Sequence, residues 1–171
     1  MVTSITVTFS TVVTLPANAA SAFTLVRTGG GAVTIGSVTQ QVVNGASLVT
    51  LSGFSGADAS QNGSLNDGSY TLTALASQIT ANGQQLDGNG DGTPGDDYVL
   101  ADNGQTGGLF RFYGDINGDR FVNGIDFAAF RAAFGSGPGD PNFNPAFDVN
   151  GDGFITGPDF AAFRANFGQS I

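Results

Sequence analysis

The chain has 171 residues, a formal net charge of −9, 14 acidic and five basic side chains, and no His, Cys or Trp. Every acid is Asp and every base is Arg, which excludes thiol and imidazole catalysis, Cys-ligated zinc and disulfide staples. So acidic a chain, with so few scattered Arg, offers little to nucleic acid, and no apolar run approaches the ~18 residues of a membrane span.

Residues 1–113 read as β. Val2, Ile5, Val7 and Phe9 alternate with Thr and Ser at the start, and Val12, Val13 and Leu15 follow. No basic-then-apolar leader follows Met1. Alternating or apolar runs continue at Phe23–Arg27, Ala32–Val38, Ser47–Phe54, Tyr70–Leu75 and Leu109–Tyr113. Gly, Asn and Asp punctuate them at 29–31, 44–45, 56–68, 82–83 and 102–108, and Asp67-Gly68 and Asn82-Gly83 are turn signals. Short β-branched runs at this spacing predict a mostly β fold, a β-sandwich. Ala74–Ile79 is ambiguous between strand and helix. Asn62-Gly-Ser64 matches a glycosylation acceptor, a triplet that chance alone often produces.

The acids are not spread evenly. Ten of the 14 Asp fall in three windows, 87–97, 115–126 and 148–159. The first reads Asp87-Gly-Asn89-Gly-Asp91-Gly-Thr93-Pro-Gly-Asp96-Asp97, followed by a strand-like Tyr98-Val-Leu. It predicts a cation loop within a β-hairpin. Asp87, Asn89, Asp91 and Asp97 lead as ligands, Thr93 stands at the seventh position, and Asp96 is the other candidate.

From residue 114 the character changes, and an internal repeat appears at an offset of 33. Asp115–Gly135 and Asp148–Gly168 agree at 15 of 21 positions. Each copy is a polar loop, then Phe-Ala-Ala-Phe-Arg-Ala, then Phe-Gly. Phe127, Phe130 and Phe134, like Phe160, Phe163 and Phe167, sit at i, i+3, i+7, one face of a helix. That stripe is expected to be core; left exposed, it would be a docking face. Gly135 and Gly168 stand where helices end, and the Gly/Pro-rich stretch 136–145 keeps the two helices separate.

The polar loops follow Asp-x-Asn-x-Asp with an acid at position 12, the pattern of a helix-flanked calcium loop. In the first, Asp115, Asn117 and Asp119 take positions 1, 3 and 5, the Phe121 carbonyl position 7, Asn123 position 9 and Asp126 position 12. In the second these are Asp148, Asn150, Asp152, Phe154, Thr156 and Asp159. Alternate residues of a tight turn point inward, so each loop gathers oxygen donors in the number that suits Ca²⁺. Arg120 replaces the usual Gly at position 6 of the first loop, where φ > 0 is needed. Two Ca²⁺ are expected in the repeat pair and a third at 87–97. Metal binding is expected to fold the tail. Loops closed by Asp bind too weakly for cytosolic calcium, which predicts an extracellular or cell-surface location.

The run Gly114-Asp-Ile-Asn-Gly-Asp-Arg-Phe-Val-Asn-Gly-Ile-Asp-Phe-Ala-Ala-Phe-Arg-Ala-Ala-Phe-Gly135 and its echo at 148–168 resemble a dockerin-type repeat pair with EF-hand-like loops, as in the tails of secreted planctomycete proteins. Gly68-Ser-Tyr-Thr-Leu-Thr with Asn82-Gly83 is similar to the late strands of a bacterial immunoglobulin-like domain. Together these imply an immunoglobulin-like β-sandwich at 1–113 followed by a small α-helical dockerin-like module at 114–171. The resemblance implies calcium at the loop residues named and a cohesin-like partner. Positions 10 and 11 are Gly124-Ile125 and Gly157-Pro158 instead of the family's frequent Ser/Thr, and Arg131 and Arg164 fall near its basic contact position.

Asp58, Asp67, Asp102 and Asp140 lie outside the loops, and none has a partner at a spacing that suits paired-carboxylate catalysis. The expectation is a non-enzymatic, calcium-binding structural module. Its copies would associate into a fibre, tube or surface layer, with Thr3–Phe9 suited to edge pairing. The alternative is a docking module for a cohesin-like protein.

Overall fold

A computed structural model describes residues 1–60, 62–104 and 107–171. Residues 105 and 106, within the 102–108 turn region, lie outside the described residues. The elements in chain order are β1 (Ser4–Phe9), β2 (Phe23–Arg27), β3 (Ala32–Val33), β4 (Ser37–Val43), β5 (Ala46–Ser52), β6 (Gly68–Ala74), β7 (Thr80–Ala81), β8 (Gln84–Gln85), β9 (Tyr98–Ala101), β10 (Phe110–Arg111), α1 (Gly124–Ala133) and α2 (Gly157–Asn166). The chain is mostly β with a C-terminal helical region. It divides into two compact units. One holds residues 3–65 and 69–110; the other holds 1–2, 66–68 and 111–171.

Two main sheets make up most of the first unit, with β1-β5, β5-β4, β6-β2, β2-β3 and β6-β9 paired antiparallel. One has the order β1-β5-β4, the other β10-β6-β2-β3 with β9 also on β6. Alternation sets the buried faces: Ser47, Val49 and Leu51 point inward from β5, and Tyr70, Leu72 and Ala74 from β6. Ile5, Val7 and Phe9 of β1 share a hollow with Leu72 and Leu100, which places the inner faces of the two sheets opposite each other. The run 32–38 is not one strand. Ala32–Val33 pairs with β2, whereas Ser37 onward pairs with β5, so the chain crosses between sheets around Gly36. The ambiguous 74–79 segment contains a single 3₁₀ turn at Ala76–Gln78. Asn44-Gly45 and Asn82-Gly83 both turn hairpins with φ > 0 at each residue, the geometry that matches strand twist. Arg27 pairs with Asp58 at 3.1 Å. The Gly31 N–H and then the guanidinium hold that carboxyl below the usual range.

In the second unit the two ten-residue helices begin at capping boxes. Asn123 and Thr156 are the N-caps, and Asp126 and Asp159 return the bond to the N-cap amide. Helix formation therefore starts at loop position 10, one residue after the cap. Each helix ends with Gly135 or Gly168 at φ of 85° or 81°. The core is Tyr113, Val122, Phe130, Ala133, Phe147, Ile155 and Phe163.

The aromatic stripe is only partly core. Phe130 and Phe163 are 1% exposed, while Phe127, Phe134, Phe160 and Phe167 are 38–52% exposed. The helices meet along the flank that carries Phe130 and Phe163, whose ring centroids are 4.8 Å apart. Two short helices have one mutual contact line, and the outer four rings stand on its rim.

Candidate metal centres and docking face

All three acidic windows fold into the same turn. The amide of position 4 donates to one carboxylate oxygen of position 1, from Gly90 to Asp87 at 2.8 Å, Gly118 to Asp115 at 2.7 Å and Gly151 to Asp148 at 2.7 Å. The amide of position 6 donates to its other oxygen at 2.8, 2.9 and 2.9 Å. The position-3 Asn side chain donates to the position-5 Asp at 3.3, 2.9 and 2.9 Å. The position-7 amide, of Thr93, Phe121 and Phe154, donates to the same Asp at 2.7–2.9 Å. Asx-type bonds of this kind wrap the backbone around the side chains.

The electrostatics follow from these contacts. Burial pushes the Asp115 carboxyl up. The Asn117 side chain and the Phe121 amide draw Asp119 down, and the Thr93 amide does the same for Asp91. Ionised oxygens crowded in one turn repel unless a cation sits among them.

Position 12 closes the two repeat loops. Asp126 accepts from the Ile116 amide at 3.0 Å and the Asn123 amide at 2.9 Å, and Asp159 accepts from Val149 and Thr156 at 2.8 Å each. Both carboxylates are fully buried. Their bonds join position 2 to position 9, so the loop is shut like a clasp.

The first loop reaches this shape despite Arg120. Its φ is 71°, against 88° for Gly153 at the equivalent place. A non-glycine residue in the left-handed region costs about 1–3 kcal/mol. Arg120→Gly is therefore expected to stabilise the helical unit by about 1 kcal/mol, read as a raised urea midpoint in saturating calcium.

The third loop closes differently. Position 2 is Gly88, where the repeats have Ile116 and Val149. A Cβ there would lie 2.2 Å from the Tyr98 nitrogen, so only glycine lets the returning chain pass. Gly88 donates to the Asp96 carbonyl at 2.8 Å. Carboxylate oxygens of Asp87, Asp91 and Asp96 then come within 4.8 Å of one another. Asp97, placed ahead of Asp96 by the spacing, turns away and accepts from the Ala76 amide at 2.7 Å. The signal for this choice was Gly88.

In the helical unit, the sequence also concealed a polar knot. Asp67 accepts from Arg111 at 2.5 Å, the Tyr113 amide at 2.8 Å and Asn166 at 3.0 Å. Asn166 is one of the few positions where the repeat departs from itself, Ala133 being its buried counterpart. The Tyr113 hydroxyl donates to the Phe147 carbonyl at 2.7 Å.

The two halves interlock through their backbones. The Gly168 amide donates to Val122 and the Val122 amide to Gln169, at 2.8 and 3.1 Å; Gly135 donates to Ile155 and Ile155 to Ser136, at 2.8 and 3.0 Å. Each loop is thus pinned to the far end of the other half's helix.

Residues 113–167 match the family model of the dockerin type I domain. The C-terminal part of the chain is a dockerin-type domain. Such domains are non-catalytic docking modules that typically bind calcium and occur in secreted or cell-surface proteins. Oxygen-only, carboxylate-rich loops of the kind described fit that ion. Among solved structures, the chain matches an interface mutant of a type II cohesin–X–dockerin complex from Acetivibrio cellulolyticus. The match is 16% identical and covers 98% of this chain and 97% of that one, at a TM-score of 0.29, too low to bear on the fold. Curated proteins give no match. Among the described residues, no helix is long and apolar enough to cross a membrane.

The dockerin-type domain presents an aromatic face. Phe127 lies 6.5, 6.1 and 6.1 Å from Phe160, Phe163 and Phe167, and Phe134 lies 6.4 Å from Phe160. Two hollows of about 250 and 210 Å³ open on it. Arg131 borders one and Arg164 the other, and both arginines are exposed.

Proposed function

We propose that this chain is a non-catalytic, calcium-binding extracellular module whose dockerin-type domain docks a cohesin-like partner through the aromatic face of α1 and α2. The observation that carries this is the exposure of four phenylalanines around a buried pair, with one arginine at each hollow. Large apolar rings left in water beside a cation are the makings of an interface centre. Gly124-Ile125 and Gly157-Pro158 give the face little hydroxyl chemistry, so apolar contact dominates its recognition.

Calcium holds the face in place in this reading. The proposed ligands are Asp115, Asn117, Asp119, the Phe121 carbonyl, Asn123 and Asp126 in one loop, and Asp148, Asn150, Asp152, the Phe154 carbonyl, Thr156 and Asp159 in the other. A third ion at 87–97 would take Asp87, Asn89, Asp91 and Asp96. The division into a sandwich at 1–113 and a module at 114–171 belongs to the same proposal.

The test is calorimetric titration of the calcium-loaded chain against a panel of purified cohesin domains. Phe127→Ser with Phe160→Ser is expected to weaken binding by a hundredfold or so, the loss of two buried rings at an interface. No binding to any cohesin, or binding that ignores both changes, refutes the assignment.

A second reading is self-association into a fibre, tube or surface layer. What favours it is an open, uncharged sheet edge in the β unit.

A further inference from the structure

Strand β4 is exposed on both faces. Its partner β5 alternates buried and half-buried residues, but along β4 only Val38 is half-buried and all else is exposed. The register places Val38, Gln40 and Val42 opposite Leu51, Val49 and Ser47, all buried. These three side chains therefore belong to the inner face of the sheet. Yet Val42 is 57% exposed. Gln40 is tied inward, its side-chain amide donating to the Val13 carbonyl and the Ser47 hydroxyl at 2.8 Å each, so the strand overhangs the core at its Val42 end.

Its backbone edge is open as well, since β4 pairs with β5 alone and ends the sheet. Val43 and Ala46 flank the two-residue turn at Asn44-Gly45 and so form a hydrogen-bonded pair. Alternation from there aims the amides and carbonyls of Val38, Gln40 and Val42 away from β5. The usual safeguards of such an edge, a lysine, a proline or another charge, are missing from Ser37–Val43.

The charge distribution selects the occupant. No ionisable side chain lies between Thr28 and Ala57, and the whole β1-β5-β4 sheet is uncharged in a chain of net charge −9. A basic partner finds nothing here to attract it, and an identical chain meets nothing to repel it. The edge is also complementary to itself. With Gln40 opposite Gln40 of a second copy, the outward amides and carbonyls of 38, 40 and 42 pair. Val38 then faces Val42 of the second copy on the inner side, and Thr39 faces Gln41 on the outer.

We propose that β4 is a self-association edge, through which two copies of this chain pair antiparallel about a two-fold axis at Gln40 and join their three-stranded sheets into one of six. This gives the self-association reading its surface and does not depend on the docking reading.

The experiment is sedimentation equilibrium of the full chain in calcium over a dilution series. The native chain is expected to shift from monomer to dimer mass. Val42→Pro removes an outward amide while leaving the β5 ladder whole, and is expected to weaken the dimer about tenfold or more. Thr39→Lys with Gln41→Lys puts lysines opposite lysines, and Thr39→Asp with Gln41→Asp does the same with acids. Each double variant is expected to stay monomeric alone and the two to dimerise when mixed, a rescue that misfolding cannot produce. A native chain that stays monomeric, a Val42→Pro chain that associates as the native one does, or a mixture that fails to dimerise overturns the proposal. Failure of the cohesin titration leaves it standing.

Discussion

Stripping calcium with a chelator is expected to unfold residues 111–171 at temperatures where the loaded unit is fully structured. A site held at a thousand times its dissociation constant adds about 4 kcal/mol to folding. Two such sites add about 8 kcal/mol, comparable with the ~5–15 kcal/mol that separates most folded domains from their unfolded chains. This unit has little else in reserve. It has no disulfide, and its core is seven residues. Without the ion, Asp115 and Asp119 share a turn, as do Asp148 and Asp152, and burial already resists ionisation of Asp115. Calorimetry in calcium and in chelator measures the difference. Superimposable transitions would mean that the loops stand on their hydrogen bonds alone.

Phe130→Ala is expected to cost about 3–5 kcal/mol. The ring is 1% exposed and sits 4.8 Å from Phe163 and 5.1 Å from Phe147, centroid to centroid. Deleting it leaves a cavity where both helices and the segment before the second loop converge, and ten-residue helices cannot hold their shape without that contact. Phe127→Ala provides the contrast. Its ring is 38% exposed, so much of the transfer term is absent, and the expected cost is about 1 kcal/mol. Urea unfolding of both variants in saturating calcium gives the two values; similar costs would place the core elsewhere.

The helical half was legible because its information is local. A turn that wraps Asp115 with the amides of Gly118 and Arg120 needs only six consecutive residues, and a repeat displays it twice. The closing glycines Gly135 and Gly168 were legible for the same reason, but the N-caps were not: Asn123 and Thr156, read as ion ligands at position 9, also start the helices. What stayed hidden depends on contacts distant in sequence. Six phenylalanines at helical spacing look alike on a wheel; only the docking of one short helix on another distinguishes Phe130 and Phe163 from the rest. In the β half, residues 39–43 of β4 escaped notice because Gln40-Gln41 interrupts the apolar pattern, and because a strand exposed over most of its length carries no burial signature. That Asp96 and not Asp97 faces Asp87 and Asp91 goes with the close passage of Tyr98 over Gly88, which no spacing rule contains.

The reciprocal pinning of Val122 to residues 168–169 and of Ile155 to 135–136 has a bearing on how such a module can be inherited. In a solenoid each unit has its own fold and stacks only on its neighbours, so copies can be gained or lost one at a time. Here each half supplies the strut that the other lacks. Half of it is not a smaller version of the whole, and lengthening or shortening the array requires adding or deleting both copies in a single event.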